Sequence, residues 1–141
     1  MSRQLKALAE QKKLTGIVKF AGRVGTDKMP DVYRQNNIFV SASMQEGMSN
    51  AMLEAMASGL PIITTRCEGV DELISDNGIV VGKDSAEALA EAINNLAENK
   101  QAYGTMCASA RRQAENFGWD KVADGYMKLY QRVLGQNSKN T

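Results

Sequence analysis

Short continuous apolar runs alternate along this chain with longer stretches in which apolar positions recur every three or four residues. The runs Ile17-Val18-Lys19-Phe20, Ile38-Phe39-Val40, Ile62-Ile63-Thr64-Thr65 and Ile79-Val80-Val81 have the length and β-branched content of strands. The Ile38–Val40 run, apolar throughout, predicts a strand covered on both faces. The periodic stretches predict helices. One spans 3–13, with Leu5, Leu8 and Ala9 on one side. A second spans about 28–36, with Met29, Val32 and Tyr33 inward and Pro30 in its first turn. Others cover 50–58, 70–74, a long segment capped by Asp84 or Ser85, 100–115, and a last helix from Trp119 through Val133. Thr15-Gly16 ends the first helix, Gly59 with Pro61 ends the 50–58 helix, and Gly22 and Gly25 mark 21–25 as a loop. Strands alternating with helices imply βαβ units: an α/β, Rossmann-like parallel sheet with helices on both faces. Residues 1–135 read as one domain without repeats or linkers, and 136–141 as a polar, disordered tail.

Composition removes several kinds of chemistry. The chain has no histidine, which excludes Ser-His and Cys-His nucleophile systems, imidazole bases and histidine-held metals from these residues. Cys67 and Cys107 lack metal-type spacing and read as thiols of a reducing compartment, so no metal or other cofactor is expected. A net charge of +1 with scattered basic residues gives no field for nucleic acid or an anionic membrane. No window approaches the roughly 18 apolar residues of a membrane span, and the start does not read as a signal peptide. The expected location is cytoplasmic.

The chemistry concentrates in SMQEGMSNAMLEAMASGLP (43–61), where Glu46 and Glu54 stand with seven residues between them. In an open parallel sheet, ligands bind beyond the carboxyl ends of strands, and this segment follows the 38–40 strand. Gly47-Met48-Ser49-Asn50 turns into a helix whose first amides are unpaired and favour phosphate oxygens. Glu54 is the reciprocal capping-box partner of neither Ser49 nor Asn50, since those positions are Met52 and Leu53. With Ala51, Met52, Leu53, Ala55, Met56 and Ala57 around it, Glu54 reads as a carboxylate in a buried helix, which needs donors. Those donors are either ligand hydroxyls or a protein amide or arginine. Glu46 is either a partner of the helix dipole or a second ligand group. Together the two carboxylates and the amide-lined turn suit a polyhydroxylated phosphate ester.

This stretch resembles the signature of retaining family-four-type glycosyltransferases with the two-domain GT-B fold. VKFAGRV (18–24), YRQNNIFVSAS (33–43), GVDELI (69–74), NGIVV (77–81) and FGWDKVADGYMKLY (117–130) resemble other segments of that family in the same order. The resemblance covers nearly the whole chain and implies the donor-binding half of a nucleotide-sugar transferase. Carried over, it makes Glu46 the catalytic-site group on the donor sugar's hydroxyls. Gly47, Met48, Ser49 and Asn50 offer amides to the distal phosphate, and Glu54 holds the ribose hydroxyls. Arg23 and Val24 lie by the nucleobase. The implied reaction moves a hexose from a UDP- or GDP-sugar to an acceptor with retention, the amides and helix dipole stabilising the departing diphosphate.

The family also carries, upstream, a strand-helix-strand unit with an arginine and a lysine for the diphosphate, and a separate acceptor domain. This sequence is therefore expected to be a partial GT-B C-terminal domain without its first strand-helix-strand unit. Alone it should bind nucleotide weakly and transfer no sugar. Arg23, Lys28 and Arg66 do not occupy the clamp positions and read as surface or loop residues, and Glu68 stands where a Gly-Gly pair is usual. With the intervening strands absent, the 17–20 strand must pair directly with 38–40, or an exposed edge must recruit another chain. The terminal helix around Trp119 is expected to be under-covered. Membrane association is expected only for a full-length enzyme. The alternative function is a non-catalytic nucleotide-sugar-binding module or an assembly fragment acting with a partner chain.

Overall fold

The computed structural model describes residues 2–43 and 48–137. In chain order the elements are α1 (Ser2–Gln11), α2 (Met29–Arg34), β1 (Phe39–Ser41), α3 (Asn50–Ala57), β2 (Ile62–Thr65), α4 (Val70–Leu73), β3 (Gly78–Val81), α5 (Ala86–Glu98), α6 (Lys100–Ala114) and α7 (Trp119–Asn137). The strands form one parallel sheet in the order β1-β2-β3, with Val40 beside Ile63 and Ile63 beside Ile79. Side chains alternate along a strand, so β2 sends Ile62 to one face and Ile63 to the other, and both are fully buried. On the first face Ile62, Phe39 and Val80 pack with Met52, Ala55 and Met56 of α3, Leu73 of α4 and Ala110 of α6. On the second, Ile63, Ile38, Ile79 and Val81 pack with Ala92 and Leu96 of α5. Helices thus cover both faces, as the alternation of elements implies.

Local chemistry sets the helix ends. Gly59 takes a left-handed φ of 80°, with its amide donating to Met56 and that of Leu60 to Ala55, so carbonyls of the last turn of α3 are satisfied, and Pro61 directly precedes β2. At the end of α1 the same paired bonds form, from Lys13 to Glu10 and Leu14 to Ala9, but Lys13 itself takes the left-handed φ of 57°. Of the two cap candidates for α5, it is Ser85 whose hydroxyl accepts from the amide of Ala88, at 3.0 Å. Cys67 is buried, Cys107 half-buried, and both are free thiols.

Two expectations fail at the open edge of the sheet. Residues 17–20 form no strand: the amides of Ile17 and Val18 both bond to Leu14 in a turn, and Ile17 is 78% exposed. A strand is stable only on a ladder, and no described strand pairs with this segment, so β-branched content alone does not make it a strand. Direct pairing of 17–20 with β1 therefore does not occur. Nor is β1 covered on both faces: Val40 is 43% exposed, because β1 is an edge strand and the helix on that face, α5, packs over β2 and β3.

The terminal helix is under-covered as expected. Every described side chain of α7 is exposed, from Trp119 at 87% to the apolar stripe of Tyr126, Leu129, Tyr130 and Val133. The helix continues through Gln136 and Asn137, two positions assigned to the tail; residues 138–141 lie outside those described.

Candidate functional site

Of the residues assigned to the site from sequence, Glu46 and Gly47 lie outside the described residues. What borders them is well anchored. The Ser41 hydroxyl donates to Ser43 at 3.1 Å, and the buried Thr65 hydroxyl donates to the Ser43 carbonyl at 2.7 Å, fixing where the chain leaves β1. On the far side Met48 is half exposed, Ser49 is buried with extended backbone, and Asn50 opens α3. The Ser49 side chain makes no capping bond, so the first amides of α3 receive nothing from it.

Glu54 differs from its sequence reading. It is exposed, not buried. Helix α3 buries Met52, Ala55 and Met56 and turns Ala51, Glu54 and Ala57 outward. The outer stripe reads as apolar in sequence only because two of its three residues are alanine, which a helix accepts on either side. The carboxylate nonetheless has one protein donor. Tyr33, on α2, donates its phenol to Oε2 of Glu54 at 3.1 Å. Tyr33 is 6% exposed, and its ring lies 6.2 Å from that of Phe39, tilted by 54°. Burial first, then the bond to Glu54 and its negative charge, raise the Tyr33 phenol above the ordinary tyrosine value of 10.0. The phenol therefore stays protonated, and a donor, at neutral pH.

Beside this pair is a cleft of about 300 Å³. Thr26, Met29, Pro30 and Tyr33 form one wall, and Glu54, Ala57 and Ser58 the other. Its surface is mostly apolar with one carboxylate, the mixture common in small-molecule sites. Arg23 and Val24 are not lining residues: Arg23 is exposed and Val24 half-buried in the loop before Thr26. Arg23, Lys28 and Arg66 are all exposed, as expected of surface residues, and Arg66 pairs with Asp71 at 2.9 Å. Among the described residues no cluster of His, Cys, Asp or Glu is suited to a metal ion, and no helix is long and apolar enough to cross a membrane.

Sequence reasoning placed Tyr33 in the core and missed that its hydroxyl leaves the core to meet Glu54. The partners are 21 positions apart, on different helices, so no local pattern joins them. Met29 and Pro30 were read as packing and helix-start residues, and their place on the cleft wall follows only from how α2 lies against α3.

A parallel sheet with helices on both faces and a cleft beside the helix that follows a strand is a Rossmann-like architecture. The chain belongs to the glycosyl transferases group 1, whose family model matches residues 1–99. It is 34% identical over 120 residues to the Spore coat protein SA of Bacillus subtilis, covering 82% of this chain and 32% of that protein. Its fold superposes with a TM-score of 0.84 on sucrose-phosphate synthase from Thermosynechococcus elongatus, at 26% identity, covering 95% of this chain and 34% of that one. The C-terminal domain of a group 1 glycosyl transferase, LpcC, from Francisella tularensis superposes at 0.73 with 25% identity, covering 82% of this chain and 60% of that one. The chain spans about a third of the length of the curated relatives it matches.

Proposed function

We propose that this chain forms the donor-binding part of a retaining glycosyltransferase that moves a hexose from a nucleoside-diphosphate sugar to an acceptor. The observation that carries the reading is the Tyr33–Glu54 pair at the edge of the cleft, with Glu54 on α3, the helix whose first amides follow β1. Glu54 lies four residues into α3 from Asn50, about 6 Å along the axis at 1.5 Å per residue. That offset is comparable with the spacing between the ribose hydroxyls and the distal phosphate of a nucleoside diphosphate. With phosphate on the amides of Met48 to Asn50, ribose falls at Glu54 and the base in the cleft against Met29 and Pro30. Its volume suits a nucleoside better than a whole nucleotide sugar, which leaves the sugar outside it. Thr26, rather than Arg23 and Val24, is then the loop residue nearest the base.

Sugar transfer needs more than this. None of the described cations lines the cleft, and the acceptor must be held by a further domain in a longer protein. The isolated chain is therefore expected to bind nucleotide weakly, without a metal, and to be inactive in transfer. Calorimetric titration with UDP, GDP and ADP tests the reading. Binding of at least one supports it, and binding of none contradicts it.

The second reading, an assembly module acting with a partner chain, is favoured by a different observation. The outer edge of β1 is unpaired among the described residues, and α7 presents a continuous exposed apolar stripe. Both features favour self-association when no other chain covers them. Sedimentation velocity is expected to show concentration-dependent association; a monodisperse monomer across a wide concentration range contradicts it.

A further inference from the structure

We infer that Tyr33 is a positioning residue for the proposed donor site: its phenol fixes one oxygen of Glu54 and so presents the other to the ribose hydroxyls. The inference rests on the donor-site reading above and extends it to a residue that touches no phosphate or sugar.

The two partners are held very differently. Tyr33 is 6% exposed, sits in the same cluster as Met52, Met56 and Ile62, and packs against Phe39. Its hydroxyl cannot follow a moving partner. Glu54 stands on the exposed side of α3 with three rotatable bonds of its own, so the carboxylate comes to the phenol rather than the reverse. An unrestrained glutamate must lose rotamer freedom when it binds a ligand, whereas one already held has lost part of it beforehand. The bond occupies Oε2 and leaves Oε1 to accept from a ligand. Because burial and the neighbouring carboxylate keep the phenol protonated, it donates in the free and the bound protein alike. Both groups line the one cleft, so the bond orients the carboxylate at the place where a ligand would meet it.

The alternative is that the bond merely ties α2 to α3. Tyr33→Phe separates the two, since it keeps the ring in the core and removes only the hydroxyl. UDP, GDP and ADP serve as probes, and the tightest binder is carried forward with its 2′-deoxy counterpart. Affinities are measured for the wild-type chain, Tyr33→Phe, Glu54→Ala and the double variant, with thermal midpoints alongside.

The positioning role predicts that Tyr33→Phe weakens ribonucleotide binding about three- to tenfold. It also predicts a reduced preference for ribose over 2′-deoxyribose, a midpoint within a few degrees of wild type, and no further loss when added to Glu54→Ala. Wild-type affinity and wild-type ribose preference in Tyr33→Phe would overturn the positioning role and leave the donor site standing. So would an equal loss in the Glu54→Ala background, or a collapse of the midpoint, since either makes the hydroxyl structural. No binding of any probe by the wild-type chain, or unchanged affinity in Glu54→Ala, overturns the donor-site reading and the role of Tyr33 with it.

Discussion

Glu54→Ala is expected to lower affinity for a bound nucleoside diphosphate about ten- to hundredfold while leaving the fold intact. A carboxylate accepting from two vicinal hydroxyls makes charge-assisted bonds worth about 1.5–3 kcal/mol, and about 1.4 kcal/mol is tenfold in affinity. The fold is spared because Glu54 is exposed on the outer side of α3, away from the Met52, Ala55 and Met56 side chains that fill the core; the structural cost is limited to the one bond from the Tyr33 hydroxyl. Alanine is also the best helix former, so α3 gains slightly. The thermal midpoint should move by no more than a few degrees. Had Glu54 been the buried carboxylate its neighbours imply, the same substitution would have changed stability strongly, so the two measurements together separate an exposed ligand group from a structural one.

The second large effect concerns Gly78, at the start of β3. It stands opposite Ile62 in the register, and a Cβ added there would overlap the Ile62 carbonyl oxygen and lie 3.1 Å from its carbon. That carbonyl belongs to β2, the central strand, every residue of which is buried, so it has nowhere to move. Gly78→Ala must therefore push β3 off β2, weakening the ladder and opening the packing of Val80 on one face and Ile79 on the other. The expected cost is about 2–4 kcal/mol, or roughly 10 °C in the thermal midpoint for a chain of this size. Gly82→Ala is the control: nothing lies within 4 Å of a Cβ there, and the midpoint should barely change. Equal effects at the two positions would mean that the β2–β3 approach is looser than the structure has it.

Much of the fold was legible in the chain because it depends on local signals. Ile62-Ile63 followed by two threonines is a strand wherever it has neighbours, and Gly59 before Pro61 ends a helix by backbone geometry alone. Residues 17–20 show the limit. Their composition matches that of β1, but strand formation needs a partner, and partnership is not written in the segment itself. The same limit applies to Val40, whose exposure depends on which helix crosses that face.

In the site, the turn into α3 and the position of Glu54 were visible, since both follow from where β1 ends and α3 begins. The environment of Glu54 was misread because alanines at 51 and 57 imitate a core face without filling one. Tyr33 carried a correct prediction of burial, and its second role depends on one hydroxyl reaching across two helices. Such a contact is a product of packing, which short-range patterns do not encode.

The central claim is that the cleft between α2 and α3 receives the nucleoside of a sugar donor. Crystals of this chain grown with UDP, GDP or ADP test it most directly. The account predicts ribose hydroxyls within hydrogen-bond distance of Glu54, the base against Met29 and Pro30, and the distal phosphate at the amides that open α3. A nucleotide bound with its ribose away from Glu54, or bound elsewhere on the molecule, would contradict it.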